Sequence, residues 1–222
     1  SNNTYITSVS IPNTVTNIGD TAFAGCSSLA TVTIGNGLSS LGAYVFNSCT
    51  LLTTVVLPNS VTTMGNGTFY GCSGLTSVTL PNAITAIPNN TFYNCSNLAS
   101  ITIPNTVESI GNSAFYSCTS LTALSVPSSV TSIGNNTFML CSGLTTVVLP
   151  ESVSSIGTSG ATRCMTKTFA PMGGVIKASS AMITTKTPNQ TGSIPSSVTT
   201  GRMNGMVKTS IPNTSSIAPN TK

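Results

Sequence analysis

The sequence predicts an α/β repeat solenoid of about six to seven coils, with a parallel sheet on one face and short strands, turns and helical pieces on the other. Three observations lead there. Phe23, Phe46, Phe69, Phe92, Phe115 and Phe138 stand 23 residues apart. Cys26, Cys49, Cys72, Cys95, Cys118 and Cys141 follow them in the same phase. A strand-like segment recurs at that period and ends each time at a proline: Pro12, Pro58, Pro81, Pro104, Pro127 and Pro150, with Gly35 in the second coil.

Residues 75–97 make one coil. It opens on Leu75-Thr-Ser-Val78-Thr-Leu80-Pro81, in which Val78 and Leu80 keep the two-residue alternation of a strand. Pro81 ends the strand because it has no N–H for a ladder. Ile84 and Ile87 come next, matched by Val61 and Met64, Val107 and Ile110, and Val130 and Ile133. A glycine usually follows the second of these (Gly65, Gly111, Gly134), where a tight bend is easy. Phe92 and Cys95 close the coil on a short irregular or helical turn. Leu75, Val78, Leu80, Ile84, Ile87, Phe92 and Cys95 are thus the expected inward residues. A single coil buries too little apolar surface to offset its own ordering, so stacking must stabilise it.

The pattern resembles the BspA-like, or Treponema pallidum-type, class of leucine-rich repeat. Leu98-Ala-Ser-Ile101-Thr-Ile103-Pro104, Val107, Ile110-Gly111, Ala114-Phe115 and Cys118 carry the resemblance, which covers residues 5–157. It implies a leucine-rich-repeat solenoid, and it implies surface proteins, often adhesins, of bacteria and parasitic protists. An extracellular or cell-surface location is expected on that ground.

Charged residues are 5% of the chain, far below the usual quarter. Residues 1–157 hold Asp20, Glu108 and Glu151 and no Lys or Arg. Residues 158–222 hold Arg163, Lys167, Lys177, Lys186, Arg202, Lys208 and Lys222 and no acid, giving +7 − 3 = +4. The basic residues are dispersed, without interleaved aromatics, which argues for a solvated segment and against nucleic acid. No stretch has the length and apolarity of a membrane span. The repeat is in phase by Ile6 with no cap before it, which leads us to expect further coils or another domain upstream.

Two domains are expected: the solenoid, residues 1–157, and a divergent basic C-terminal segment, residues 158–222. Ala161 falls in the aromatic phase and Lys167 in the leucine phase, so the regular core should stop before them. Ser193-Ile-Pro-Ser-Ser-Val198 and Ser210-Ile-Pro-Asn-Thr-Ser-Ser-Ile217 echo the strand ends and should cap the last coil, the alternative being a flexible stalk.

No metal or cofactor is expected. Zinc sites need closely paired ligands, and this chain has no such Cys pair and no His. The cysteines read instead as a buried column of small hydrophobes. Asn-X-Ser/Thr sequons, such as those at Asn66, Asn89, Asn94 and Asn135, are no more frequent than chance in so Ser/Thr-rich a chain. Catalysis is not expected: the three carboxylates sit at different phases, and no phosphate loop or nucleophile motif is present.

Binding is the remaining class, through one of two faces. The outward strand positions should be Ser8 and Ser10, Thr31 and Thr33, Thr54 and Val56, Ser77 and Thr79, Ser100 and Thr102, Ala123 and Ser125, and Thr146 and Val148. These residues also simply suit a half-exposed strand. Tyr70, Tyr93 and Tyr116 follow the phenylalanines and should form a stripe on the opposite edge, with the better anchors for binding energy. The expected function is a non-catalytic adhesion module recognising protein or glycan. The alternatives are a self-assembling structural component and, third, an ice-binding face of threonine columns.

Overall fold

The computed structural model describes residues 3–158. They form a solenoid whose coils stack in register at the 23-residue repeat. The first ribbon of strands comprises β1 (Ser8–Ile11), β3 (Thr31–Ile34), β5 (Thr54–Val56) and β7 (Ser77–Thr79), then β10 (Ala123–Ser125) and β12 (Thr146–Val148). The second comprises β2 (Asn17–Ile18), β4 (Ser40–Leu41) and β6 (Thr63–Met64), then β8 (Ala86–Ile87), β9 (Ser109–Ile110), β11 (Ser132–Ile133) and β13 (Ser155–Ile156). All pairing is parallel, with Ser8 opposite Thr31 and Ser40 opposite Thr63. The seven inward residues of the reference coil, Leu75 to Cys95, are all buried. An eighth inward position was not anticipated. Thr68, Thr91 and Thr137 are fully buried there, each hydroxyl donating to the carbonyl three residues back (Gly65, Pro88 and Gly134).

The expected helical pieces are absent among the described residues. The third side of each coil is a wall of turns. Two residues per coil adopt left-handed backbone there: Thr21 and Gly25, Tyr44 and Ser48, Gly67 and Gly71, Asn90 and Asn94, Ser113 and Ser117, Asn136 and Leu140. Left-handed residues every four positions cannot continue a right-handed helix. They turn successive N–H groups toward the next coil instead. Gly67, Phe69 and Gly71 donate to Asn89, Thr91 and Tyr93 at 2.8, 3.0 and 2.7 Å, and the same three bonds recur between the coils on either side. Where both ribbons are continuous, as between the first three coils, a junction is hydrogen-bonded on three sides.

Gly42, Gly65, Gly111, Gly134 and Gly157 form a column with a different cause from the bend expected. Their backbone is not left-handed. A Cβ on Gly111 would sit 2.6 Å from the Asn89 nitrogen, so the side chain is excluded by the backbone of the preceding coil. In this column Gly42, Gly65, Gly111, Gly134 and Gly157 each donate to the preceding coil, for example Gly65 to Leu41 at 2.8 Å. Pro88 occupies the phase in the fourth coil and has no N–H to give. The second ribbon accordingly divides between β6 and β8. The first ribbon lapses at residues 100–103, although Ser100 and Thr102 still face out and Ile103 is buried.

Side chains repeat the backbone logic. Asn66, Asn89, Asn112 and Asn135 each accept, through Oδ1, the N–H of the residue 23 positions on, at 2.7–3.1 Å. Asp20 serves Ala43 in the same way at 2.7 Å. The cap or stalk expected of residues 158–222 lies, but for residue 158, outside the described residues.

Candidate binding surfaces

The strand face is as anticipated in direction. Its outward residues Ser8, Ser10, Thr31, Thr33, Thr54, Val56, Ser77, Thr79, Ser100, Thr102, Ala123 and Ser125 are exposed, and Thr146 and Val148 are half-exposed. Val56 is 65% exposed, the most open aliphatic side chain on this face. The surface is uncharged and without an aromatic, so it offers area and no anchor.

The turn wall carries the aromatic feature. Phe69, Phe92 and Phe115 point in, and each is followed by a tyrosine that points the other way. The ladder to the next coil holds them in line: Gly71 donates to the Tyr93 carbonyl and Asn94 to that of Tyr116. Tyr70 and Tyr93 stack with centroids 4.5 Å apart and planes 2° from parallel, and Tyr93 and Tyr116 at 4.5 Å and 1°. All three are half-buried. Burial between its neighbours pushes the Tyr93 phenol above the ordinary tyrosine range, and the flanking phenols reinforce the shift.

One member of this stripe was missed. Tyr44 lies over Gly67 and meets Tyr70 edge-on, at 6.0 Å and 61°. It sits at the phase of Gly67, not of Tyr70, so the period concealed it. The signal was Gly67 itself, left-handed at φ 62 and so placed that a Cβ would strike the Tyr44 ring. The turn segments that carry the rings also carry Asn89, Asn94, Asn112, Ser113 and Ser117 and no charged residue.

Within, Cys49 to Cys141 are fully buried and Cys26 nearly so. Their role goes beyond filling space. From Cys49 onward each thiol donates to the phenylalanine carbonyl of the preceding coil: Cys72 to Phe46 at 2.9 Å, Cys95 to Phe69 at 3.1 Å and Cys118 to Phe92 at 3.2 Å. Burial, with the neighbouring Cys26, pushes the Cys49 thiol up to about 12. Cys72, Cys95 and Cys118 are also pushed up, by burial first and neighbouring thiols second. They are inert as nucleophiles and as metal ligands. Asp20, Glu108 and Glu151 are exposed and separate, and no group of three metal-ligating residues occurs among the described residues. No helix among the described residues is long and apolar enough to cross a membrane.

A sequence-family model described as a BspA type leucine-rich repeat region, of six copies, matches residues 1–119, 68–186 and 108–211. Among solved structures, the chain is similar to a leucine-rich repeat protein of Eubacterium ventriosum, with a TM-score of 0.65 and 24% identity over 69% of this chain and 42% of that one. It is also similar to the leucine-rich repeat protein of Treponema pallidum (TM-score 0.46, 25% identity, 68% of this chain and 69% of that one). A third is a leucine-rich cell surface protein of Faecalibacterium prausnitzii (TM-score 0.40, 25% identity, 72% and 58%). The chain thus spans less than half the length of the Eubacterium protein, whose likeness shows the fold alone. Comparison with curated protein sequences finds no significant match.

Proposed function

Because the chain belongs to the BspA-type leucine-rich repeat family, we propose that this repeat binding module serves as a non-catalytic adhesion segment at a cell surface, with the tyrosine edge of its turn wall as the recognition site. The observation that carries this reading is the parallel stack of Tyr70, Tyr93 and Tyr116 at 4.5 Å, set among Asn and Ser. Tyrosine with Ser, Asn and Gly is the composition of paratopes, where rigid rings supply contact area at low entropic cost. Stacking in a hydrogen-bonded wall holds these rings in place before any partner arrives.

The geometry also favours a protein over a glycan. A sugar stacks its apolar face on an open ring face, whereas these ring faces are covered by one another. What faces outward is a row of ring edges and phenol oxygens, suited to a polar protein surface. Residues 158–222 are read as a separate basic segment that follows the module in sequence.

Replacing Tyr70, Tyr93 and Tyr116 together by Ala tests the assignment. Anchors of this type cost at least about 1 kcal/mol each on truncation, so binding to a surface partner should weaken by about 100-fold or more. Retention of full affinity would remove the tyrosine edge from consideration.

A second reading rests on the other face. The flat, uncharged strand columns with Val56 65% exposed suit contact with another copy. Sedimentation across a concentration series tests it: Val56→Lys should abolish any association, and an association that survives the substitution would move the contact elsewhere. Ice binding is not carried forward, because the ladder lapses at residues 100–103 and interrupts the regular array.

A further inference from the structure

Tyr70, Tyr93 and Tyr116 present a chemistry that binding does not use. Two phenols become covalently joined when each loses one electron and one proton and the resulting phenoxyl radicals pair through their ortho carbons. The new bond forms along the normal to the rings, so the reactive approach is face to face. Phenols in free chains must diffuse into that approach. Here the backbone ladder holds it in the resting molecule, with centroids 4.5 Å apart and planes within 2°.

The rest of the described chain offers no comparable pair. Tyr44 meets Tyr70 edge-on at 61°, which points a ring edge and not a face. Tyr5 is 90% exposed and has no ring contact with another tyrosine. The chain has no Trp and no His to compete for a one-electron oxidant, and the thiols of Cys49 to Cys141 are buried and held as donors. The stack itself is half-exposed, so an oxidant in solution reaches it.

We propose that Tyr70, Tyr93 and Tyr116 are an oxidative cross-linking site, at which a one-electron oxidant joins adjacent rings and staples neighbouring coils. Two equivalents of oxidant take one electron from each of two phenols, and the two phenolic protons pass to solvent. The radicals couple ortho carbon to ortho carbon. Each ortho proton then leaves its carbon and a proton returns to the oxygen, restoring both phenols. The product lacks two hydrogens, and its one new bond is carbon to carbon. Tyr93 takes part in either link, since Tyr70 and Tyr116 lie two coils apart. The staple ties segments 23 residues apart, and it should stabilise the solenoid as a disulfide does, by restricting the unfolded chain.

The test uses the full chain, dilute, with photo-activated ruthenium tris-bipyridyl and persulfate as the one-electron oxidant. Dityrosine fluorescence should appear in the monomer band, and mass spectrometry of a peptic digest should find peptides of Tyr70–Tyr93 or Tyr93–Tyr116 joined with loss of two hydrogens. Tyr93→Phe keeps the ring stack and should abolish the monomer signal, whereas Tyr5→Phe should leave it unchanged. Undiminished monomer dityrosine in Tyr93→Phe would overturn the proposal. So would links that map to Tyr5 or Tyr44, or that occur only between molecules. No binding partner enters this experiment, so its outcome is independent of the adhesion reading.

Discussion

Truncating one ring of the inner column gives a large and position-dependent loss of stability. Phe92 is fully buried and stacks on Phe69 at 5.6 Å and on Phe115 at 5.3 Å. Phe92→Ala removes a core aromatic, which costs about 3–5 kcal/mol depending on how far the site collapses. Collapse is blocked here. Phe92 donates to the Ala114 carbonyl at 2.8 Å and Phe69 donates to that of Thr91 at 3.0 Å, so the neighbouring coils cannot close on the void. The upper part of the range, about 4–5 kcal/mol, is therefore expected. Phe23 makes the contrast, being only half-buried and stacked on a single ring, Phe46, at 5.6 Å. Phe23→Ala should cost about half as much, roughly 2 kcal/mol. Urea unfolding followed by circular dichroism measures both. If Phe92→Ala costs no more than Phe23→Ala, the column is not the core of a solenoid and the reasoning fails.

Other substitutions probe the junctions. Gly111→Ala puts a Cβ 2.6 Å from the Asn89 nitrogen and should destabilise by about 2–3 kcal/mol, whereas Gly19→Ala, with nothing within 4 Å, should be neutral or stabilising by about 0.5 kcal/mol in the same urea assay. Ala43 interrupts the asparagine column, so Ala43→Asn should give the Asn66 N–H a partner and raise stability by about 0.5–1 kcal/mol. The thiols set the alkaline limit. Cys49, Cys72, Cys95 and Cys118 have folded pKa values above the unfolded value of 9.0, so the folded state keeps protons that the unfolded chain releases. Stability should hold below about pH 9 and fall steadily above it, toward about 12 for Cys49. Cys95→Ala should flatten that fall in urea titrations run at successive pH values.

The inner side of the coil was legible because it is written at a fixed period. Leu75, Val78, Leu80, Ile84, Ile87, Phe92 and Cys95 are all buried, and the outward strand residues face out. The turn wall was not legible. Its left-handed positions include Thr21, Tyr44, Ser48, Ser113, Ser117 and Leu140, residue types that do not announce such backbone, and only Gly25, Gly67 and Gly71 with Asn90, Asn94 and Asn136 hint at it. Inter-coil hydrogen bonds impose the conformation, which is a tertiary effect that no single coil's sequence carries. The glycine column was seen but misread, since its cause is the backbone of the preceding coil. Pro88 breaks one ladder because the missing N–H belonged to a coil-to-coil bond, a consequence visible only once the coils are stacked. Of the proposed binding surface, the tyrosine period was plain and the off-phase Tyr44 was hidden.

Affinity of the intact chain for the surface of its host cells, compared between the parent and the variant carrying Tyr70→Ala, Tyr93→Ala and Tyr116→Ala, tests the functional claim most directly. The side chains are outward, so the variant should retain the parent's circular dichroism spectrum and its unfolding free energy to within about 1–2 kcal/mol. Binding that falls by about 100-fold in a folded variant is the expected result. Binding of a folded variant at the parent's affinity would contradict it and place recognition on another face of the solenoid.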